Sequence, residues 1–357
     1  MPKNNGLTKA KSAKKDEFYT NYDVIQAELN FHENQFKNKT VLCNCDDPFE
    51  SNFTKFFLRN FNYYGLKRLI CTSYAGSPVT GTQLSLFDDY DELVINKHGY
   101  VLDITAVPMA NGRGVSDMDI STLLHSKGVV SRLKGNGDYS SEECLNYLEQ
   151  ADIVVTNPPF SKFRPYLATL MKYHKNFLII GNVNALTYKE VFPLIKANKL
   201  WFGASIHSGD REFRVPDSYP LKASGIRIDE QGHRYIRVKG VRWFTNMDYK
   251  QRHDDLILYK KYNSVDYPHY DNYAAINVGK TADIPMDYSG VMGVPITFMD
   301  KFSPDQFTIF GCTESEGNGL SNGLWNSESG VKQPLIDGKR KYKRIFVKNK
   351  KVQHSEN

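Results

Sequence analysis

The feature that most constrains this chain is a series of short apolar runs separated by segments of helical period. The runs are Thr40-Val41-Leu42-Cys43-Asn44-Cys45, Leu69-Ile70-Cys71, Ile153-Val154-Val155 and Phe177-Leu178-Ile179-Ile180. Each has the length of a strand rather than a helix. Between them, apolar residues recur at helical spacing: Ile25, Leu29 and Phe36; Phe53, Phe56, Phe57, Phe61 and Tyr64; Phe163, Leu167, Leu170 and Met171. Cys144–Leu148 reads as a shorter helix. Strands that alternate with helices predict βαβ units, hence an α/β fold with a mostly parallel sheet and helices on both faces.

The alternation is interrupted twice. Residues 75–127 read as a loop-rich insertion with one hairpin, Glu92–Ile95 and Tyr100–Val107, turning at Lys97-His98-Gly99. A further strand begins at Val129-Val130 and ends near Gly137-Asp138. After about residue 200 the pattern changes to hairpins, over Gly225–Asp229, Arg234–Val238 and Val241–Thr245, and from there to 357 it is irregular. The expected organisation is a flexible basic arm (1–15, with Lys3, Lys9, Lys11, Lys14 and Lys15), a main domain (16–245) and a smaller irregular C-terminal region (246–357).

Composition narrows the class. With 40% hydrophobic and 24% charged residues, the 357-residue chain is ordinary globular protein. Its formal charge of +6 permits a polyanionic partner without requiring one. No apolar run is long enough to span a membrane, and the N-terminus lacks the apolar core of a signal peptide. Five cysteines, Cys43, Cys45, Cys71, Cys144 and Cys312, read as reduced thiols of a cytoplasmic protein. Cys43-x-Cys45 has no second pair and the histidines show no ligand spacing, so no metal is expected. Gly317–Gly323 lacks a strand–helix frame and reads as a loop.

The most informative stretch is Asp152-Ile-Val-Val-Thr-Asn157-Pro158-Pro159-Phe160. It follows an apolar strand and precedes a helix, which puts it at the carboxyl edge of the sheet, where open α/β folds bind ligands. The prolines stiffen the turn and leave carbonyls free to face a crevice. Such a corner suits methylation of an amino nitrogen whose lone pair is delocalised into a ring or carbonyl. The Asn157 side-chain oxygen and the Pro158 carbonyl can accept both N–H bonds and aim the lone pair at an electrophilic methyl, without a strong base. Phe160 can stack on an extruded base. The competing reading is a rigid turn with Phe160 in the core.

A methyl donor, usually S-adenosylmethionine, belongs at the ends of the first strands. Asn44-Cys45-Asp46-Asp47-Pro48 follows strand one. Asp46 or Asp47 can hold the donor's ammonium, cap the following helix, or do both. A glycine-rich turn is missing there. Asp138, with Tyr139 flanking, is placed to accept from the donor's adenine amino group, although Asn136-Gly137 is also a common turn pair. Cys71-Thr72-Ser73-Tyr74 supplies no acid for the ribose.

These residues match a family. The chain resembles the EcoRI-type DNA adenine-N6 methyltransferases in DEFYT (16–20), VLCNCDDP with ESNFTKFF (41–57), ADIVVTNPPFSKFR (151–164), FLIIGNVNALTYKEVFPLIK (177–196), and YDNYAAINVGKT with DIPMDYSGVMGVPITF (270–298). The resemblance implies a Rossmann-like methyltransferase domain, S-adenosyl-L-methionine as donor with S-adenosyl-L-homocysteine as product, double-stranded DNA as substrate, and a C-terminal target-recognition region. Asn157, Pro158 and Phe160 fall on its catalytic motif. Phe18, Tyr19 and Thr20 fall on its N-terminal donor-binding segment, Asn44, Cys45 and Asp46 on its first donor-binding turn, and Asp138 and Tyr139 on its adenine contact.

A DNA substrate gives meaning to two basic clusters. Arg227, Arg234, Arg237, Lys239 and Arg242 crowd the hairpins, and Lys341, Lys343 and Arg344 lie in the run Lys339–Arg344. Either cluster can hold phosphates or be a solvated face. The sequence thus predicts a monomeric cytoplasmic enzyme that flips an adenine out of duplex DNA, with no metal and no membrane partner. A cognate restriction endonuclease acting on the same site without direct contact is a candidate partner. The alternatives are an RNA or protein-glutamine N-methyltransferase, and a catalytically silent DNA-binding protein with the same fold.

Overall fold

A computed structural model describes residues 20–75, 98–109, 114–207, 209–215, 226–315 and 319–352. The expected arm 1–15, Phe18, Tyr19 and the expected strand Glu92–Ile95 lie outside the described residues. The chain divides into two compact units. One comprises residues 1–182 with 208–247, and the other 183–207 with 248–357.

The first unit is built on a large mixed sheet. Its strands are β1 (Thr40–Cys43), β2 (Arg68–Thr72), β3 (Tyr100–Ile104), β4 (Val130–Arg132), β5 (Ile153–Thr156) and β6 (Asn176–Asn182). After β7 (Trp201–Phe202) of the second unit come β8 (Asp210–Val215), β9 (Ile226–Ile228), β10 (Arg234–Lys239) and β11 (Val241–Thr245). Within this unit the main sheet runs β4-β3-β2-β1-β5-β6-β11. The centre is parallel, β1 pairing with β2 and β5, and β5 with β6. The flanks are antiparallel, at β2/β3, β3/β4 and β6/β11. β1 and β5 are buried along their whole lengths, as strands covered on both faces must be.

From β1 the chain moves one way, to β2, while β5 and β6 lie on the other side. The order therefore reverses between β1 and β5, and such a switch opens a crevice at the carboxyl ends of those two strands. The segments that follow them are Asn44–Pro48 and Asn157–Phe160.

The helices hold these segments. α1 (Tyr22–Leu29) buries Ile25 and Leu29. Phe36, expected on the same face, instead follows a separate 3-10 turn, Glu33–Gln35, and is buried there. α2 (Asn52–Tyr64) starts where the Ser51 side chain accepts from Phe53 N at 3.0 Å and stops at Gly65, whose φ is +58°. It buries Phe53, Phe56, Phe57, Phe61 and Tyr64. Truncating one of the fully buried rings would cost about 3–5 kcal/mol. α3 (Asp117–Leu124) opens with a Ser116/Asp119 capping box, and α4 (Glu142–Gln150) with Ser141 accepting from Cys144 N. α5 (Phe163–Lys172) seats Phe163 against Phe244 at 4.9 Å. A Cβ on Gly181 would lie 2.4 Å from the Phe163 ring, so only glycine allows that approach.

Three sequence expectations change. The 75–127 stretch is not merely an insertion, because it supplies β3, and with β4 this forms an antiparallel edge of the main sheet. The third expected hairpin strand, β11, turns away at Gly240 (φ +70°) and pairs with β6, while β8, β10 and β9 form a separate sheet. The C-terminal region is not irregular throughout.

In the second unit, α6 (Phe192–Lys196) packs on β14 (Phe307–Cys312). A sheet runs β12 (Ile276–Asn277), β13 (Met292–Pro295), β17 (Arg344–Asn349), β14. Met292, Val294, Ile345 and Val347 are fully buried there. β15 (Leu335–Ile336) and β16 (Lys339–Arg340) form a separate hairpin.

Candidate active site

The two segments at the switch point are bonded to each other. Asp46, one residue beyond Cys45, is buried; its Oδ1 accepts from Ser51 Oγ at 2.7 Å and its Oδ2 from Thr156 Oγ1 at 2.6 Å. This carboxylate ties the turn after β1 to the last residue of β5. Asn157 and Pro158 follow at once, both buried, with the Asn157 side-chain oxygen enclosed. Phe160 is half-buried and begins the 3-10 turn Phe160–Lys162, closed by Lys162 N donating to Pro159 O at 2.9 Å. It is not a core residue, although the tetrapeptide does form a strand-to-helix turn.

Around the first turn, polar groups are buried and only partly used. Asn44 Oδ1 accepts from the Tyr166 hydroxyl, whereas Asn44 Nδ2 is enclosed without a hydrogen-bond partner among the described residues. Asp47 Oδ1 caps α2 by accepting from Phe49 N (2.9 Å) and Glu50 N (3.1 Å), and its Oδ2 is likewise enclosed without a partner. Burial pushes the Asp47 carboxyl up to about 6, against the pull of those two amides. Thr20 is held to α2 through its carbonyl, which accepts from Asn52 Nδ2 at 2.7 Å, and its Oγ1 has no partner among the described residues. Cys45 is half-buried. A cavity of about 470 Å³ adjoins this segment, lined by Tyr22, Phe49, Asn52 and Lys55 among others.

The turn after β4 lies against the same site. Gly137 has a φ of +76°, and a Cβ there would fall 2.0 Å from the Ser73 carbonyl oxygen. Only glycine lets the 135–139 turn close on the end of β2, where Ala75 N donates to Asn136 O at 2.8 Å. Asp138 Oδ1 accepts from Ser140 N (2.9 Å) and Oγ (2.6 Å), and its Oδ2 pairs with Lys162 Nζ at 2.9 Å. Burial alone would raise the Asp138 carboxyl; Ser140 and Lys162 outweigh it and hold it below its ordinary value. Tyr139 is buried and meets Tyr166 edge-on at 4.9 Å. Asn44, Asp46, Asp138, Tyr139 and Asn157 are thus brought together through Thr156, Tyr166 and Lys162. The sequence did not single out those three connectors, although Tyr166 and Lys162 sit within helical reach of the motif.

The basic candidates scatter. On the β8-β10-β9 sheet, Arg227, Arg237 and Lys239 are exposed. Glu212 pairs with Arg227 at 3.0 Å and with Arg237 at 3.8 Å. Arg234 is half-buried on the opposite face, beside Ile236 and Val238. Arg242 corrects the expected exposed row: β11 joins the main sheet beside β6, and this side chain is buried and donates to Val241 O at 2.7 Å. Arg344 is likewise buried, because β17 is an inner strand, and its guanidinium donates to the Tyr270 hydroxyl and Asn277. Lys343 Nζ donates to Thr187 Oγ1 at 2.8 Å, and Lys341 is half-buried. Among the described residues no group of three or more His, Cys, Asp or Glu could hold a metal, and no helix is long and apolar enough to cross a membrane.

The mixed α/β sheet with its covering helices is consistent with a methyltransferase fold. The profile of the adenine-specific methyltransferase EcoRI family matches residues 6–350, and the chain belongs to that family. It is 45% identical to the type II methyltransferase M.EcoRI of Escherichia coli over 351 residues, 97% of each chain. It is 34% identical to the type II methyltransferase M.MgeORF184P of Mycoplasma genitalium, across 97% of this chain and 99% of the relative. It is 33% identical to the type II methyltransferase M.MpnI of Mycoplasma pneumoniae, across 96% and 98%. No solved structure gives a significant match.

Proposed function

We propose that the chain is a site-specific DNA adenine-N6 methyltransferase that uses S-adenosyl-L-methionine on an adenine flipped out of the duplex. Membership of an adenine-specific methyltransferase family carries this reading, together with the Asn157-Pro158 corner bonded through Thr156 and Asp46 to the turn after β1. The enzyme would act as a cytoplasmic monomer, beside a cognate endonuclease that shares its site without touching it.

The residues present suit the donor. Asp47 Oδ2 is a buried acceptor fit for an ammonium, and Asn44 Nδ2 and Thr20 Oγ1 are buried polar atoms fit for a carboxylate or hydroxyl. Asp46 keeps the turn in place, and Asp138 with Tyr139 would take the donor's adenine. When bound, the donor supplies a methyl group on a positively charged sulfur.

The chain's own part is positioning. The side-chain oxygen of Asn157 and the carbonyl of Pro158 accept the two N–H bonds of the adenine amino group. The nitrogen lone pair is then pulled out of conjugation and fixed in direction. Phe160, half-exposed beside the corner, lies against the flipped ring. As the new C–N bond forms, the methyl's bond to sulfur would break, its electron pair staying on sulfur to give the neutral thioether of S-adenosyl-L-homocysteine; the nitrogen becomes cationic, and the two oxygens that hold its protons stabilise that charge. One proton then leaves to solvent, so no residue has to be a strong base.

Incubating the purified chain with tritiated donor and, separately, duplex DNA, RNA and protein tests the reading. Label in DNA, recovered as N6-methyladenine, is the expected result. Asn157→Ala should lower turnover by at least about 100-fold while S-adenosylhomocysteine still binds. Label confined to RNA or protein, or near-normal turnover by Asn157→Ala, would overturn it.

A further inference from the structure

The second unit carries a basic hairpin on a mount of its own. β15 and β16 pair as Leu335↔Arg340 and Ile336↔Lys339, leaving Asp337-Gly338 as a two-residue loop. Both loop residues have positive φ, +50° and +68°, the geometry that makes Asp-Gly the strongest short hairpin signal. Cross-strand partners share a face. Ile336 is buried in a cluster with Tyr270, Tyr273 and Phe346; its partner Lys339 shares that face yet is exposed, and Arg340 lies on the opposite face, so the two cations flank the ribbon on its two sides. Lys339 and Arg340 are exposed, Lys341 is half-buried, and Tyr342 is 73% exposed. Among the described residues, none of these three cations is neutralised by an ion pair. The hairpin's own acid, Asp337, sits at the tip.

Three consecutive side chains hold, by the backbone, this hairpin and the stretch 331–333 that leads into it. Asp271 accepts from both tip amides, Asp337 N at 3.3 Å and Gly338 N at 2.9 Å. Asn272, buried, donates from Nδ2 to Val331 O (2.7 Å) and Gln333 O (2.9 Å) and accepts from Leu335 N (2.9 Å). The Tyr273 hydroxyl donates to Lys332 O. Backbone bonds from Asp271 N to Leu335 O (2.9 Å) and from Lys341 N to Pro334 O (2.8 Å) finish the frame. A solvated turn needs no such fixing, whereas a surface that must meet a partner without losing entropy does.

We infer that the hairpin 334–342 is a rigid ribbon that contacts duplex DNA. Lys339, Arg340 and Lys341 neutralise phosphates, Tyr342 lies against the backbone they hold, and Asp271 is the positioning residue that keeps the tip in shape. The occupant rests on the DNA reading above. Charge complementarity selects a polyanion, and a two-stranded ribbon is narrow enough for the major groove, about 12 Å wide. The exposed β8-β10-β9 face is a weaker candidate, since Glu212 already engages Arg227 and Arg237.

The test uses the full chain and anisotropy of a labelled mixed-sequence duplex at salt concentrations from about 50 to about 300 mM. Thermal melting and S-adenosylhomocysteine affinity check integrity. Lys339→Ala/Arg340→Ala/Lys341→Ala should reduce the slope of log K against log salt by about 2–3 and weaken binding roughly 100-fold at physiological salt. Asp271→Ala should raise KM for DNA several-fold with a salt slope close to wild type, because the charges remain while their placement is lost. A triple variant with wild-type affinity and slope overturns the inference, as does tighter binding of duplex RNA than of DNA. A wild-type chain that neither binds nor methylates DNA overturns both the inference and the functional reading. A wild-type chain that does both, beside an unchanged triple variant, overturns the hairpin alone.

Discussion

Asp47 is where burial most directly becomes chemistry. An unfolded chain ionises this carboxyl near 3.8, whereas the folded one holds its proton to about 6. Between those values the folded state binds more protons, so stability falls as pH rises through the window, by on the order of 3 kcal/mol once both states are ionised. Asp47→Asn keeps an oxygen for the α2 cap and has no charge to bury. Urea unfolding from pH 4 to 7 should therefore show a decline in the wild type that the variant lacks. A donor ammonium on Oδ2 would reverse the penalty. S-adenosylhomocysteine should bind the wild type more tightly as pH rises to about 6 and then level off, while Asp47→Asn binds more weakly with no such rise. A pH-independent wild-type affinity would remove Asp47 from the donor site. The sequence offered Asp46 and Asp47 as equals. Their division of labour depends on Thr156, more than a hundred residues away, and no local pattern carries that. Arg242 and Arg344 misled for the same reason: a cation in a run of cations looks solvated, and only pairing with strands distant in sequence shows that its side chain is buried.

At the scale of elements, the candidate site is three turns at the carboxyl ends of strands, joined by mutual bonds. Lys162 joins the turn after β5 to the turn after β4 through Asp138, with its ammonium also 5.6 Å from the ring centres of Tyr74 and Tyr139. Both partners of this ion pair are partly exposed, so it adds at most about 1 kcal/mol to stability. If Lys162 aims Asp138, its loss should show in donor affinity instead. Lys162→Met is expected to melt within a few degrees of the wild type but to bind S-adenosylhomocysteine several-fold more weakly, with Lys162→Arg recovering most of the difference. Equal affinities for all three would assign the pair to the surface alone. Gly137→Ala is a harsher probe. The new methyl meets the Ser73 carbonyl in a strained backbone, which should cost more than about 2 kcal/mol and be read as a lowered melting temperature. The central parallel strands were legible because strands buried on both faces spell themselves as unbroken apolar runs. β12, β15 and β16 are two residues each, and β13 contains Gly293 and ends at Pro295. Elements that short show no period, so pairing partners distant in sequence define them. The Asp337-Gly338 turn was the one local signal there, hidden by the lysines that follow it.

For the whole molecule, the departure from the sequence reading is that each unit is assembled from separated stretches of chain. The sequence pattern changes near 245, whereas the segment 183–207 shows no change that would set it apart from the alternation before it. Its helix α6 follows β6 as another helix of the alternation would, yet it packs on β14 in the second unit. Ala185, Leu186, Phe192 and Ile195 are each at most 2% exposed. A fragment ending at residue 247 would keep those side chains while losing residues 248–357, which complete their unit. Exposing several large apolar side chains at about 1.5–3 kcal/mol each is comparable to the net stability of a domain. That fragment should therefore bind a hydrophobic dye and aggregate. A fragment in which a short Gly/Ser linker replaces 183–207 should stay soluble, because it retains the whole of the first unit and none of the second. If the first unit also contains the donor site, the linker fragment should bind S-adenosylhomocysteine while showing little duplex-DNA affinity, since the Lys339–Tyr342 hairpin is gone. Size-exclusion chromatography and calorimetry on the two fragments would decide it. A soluble, dye-negative 1–247 fragment would mean that residues 183–207 do not need the C-terminal stretch to be buried.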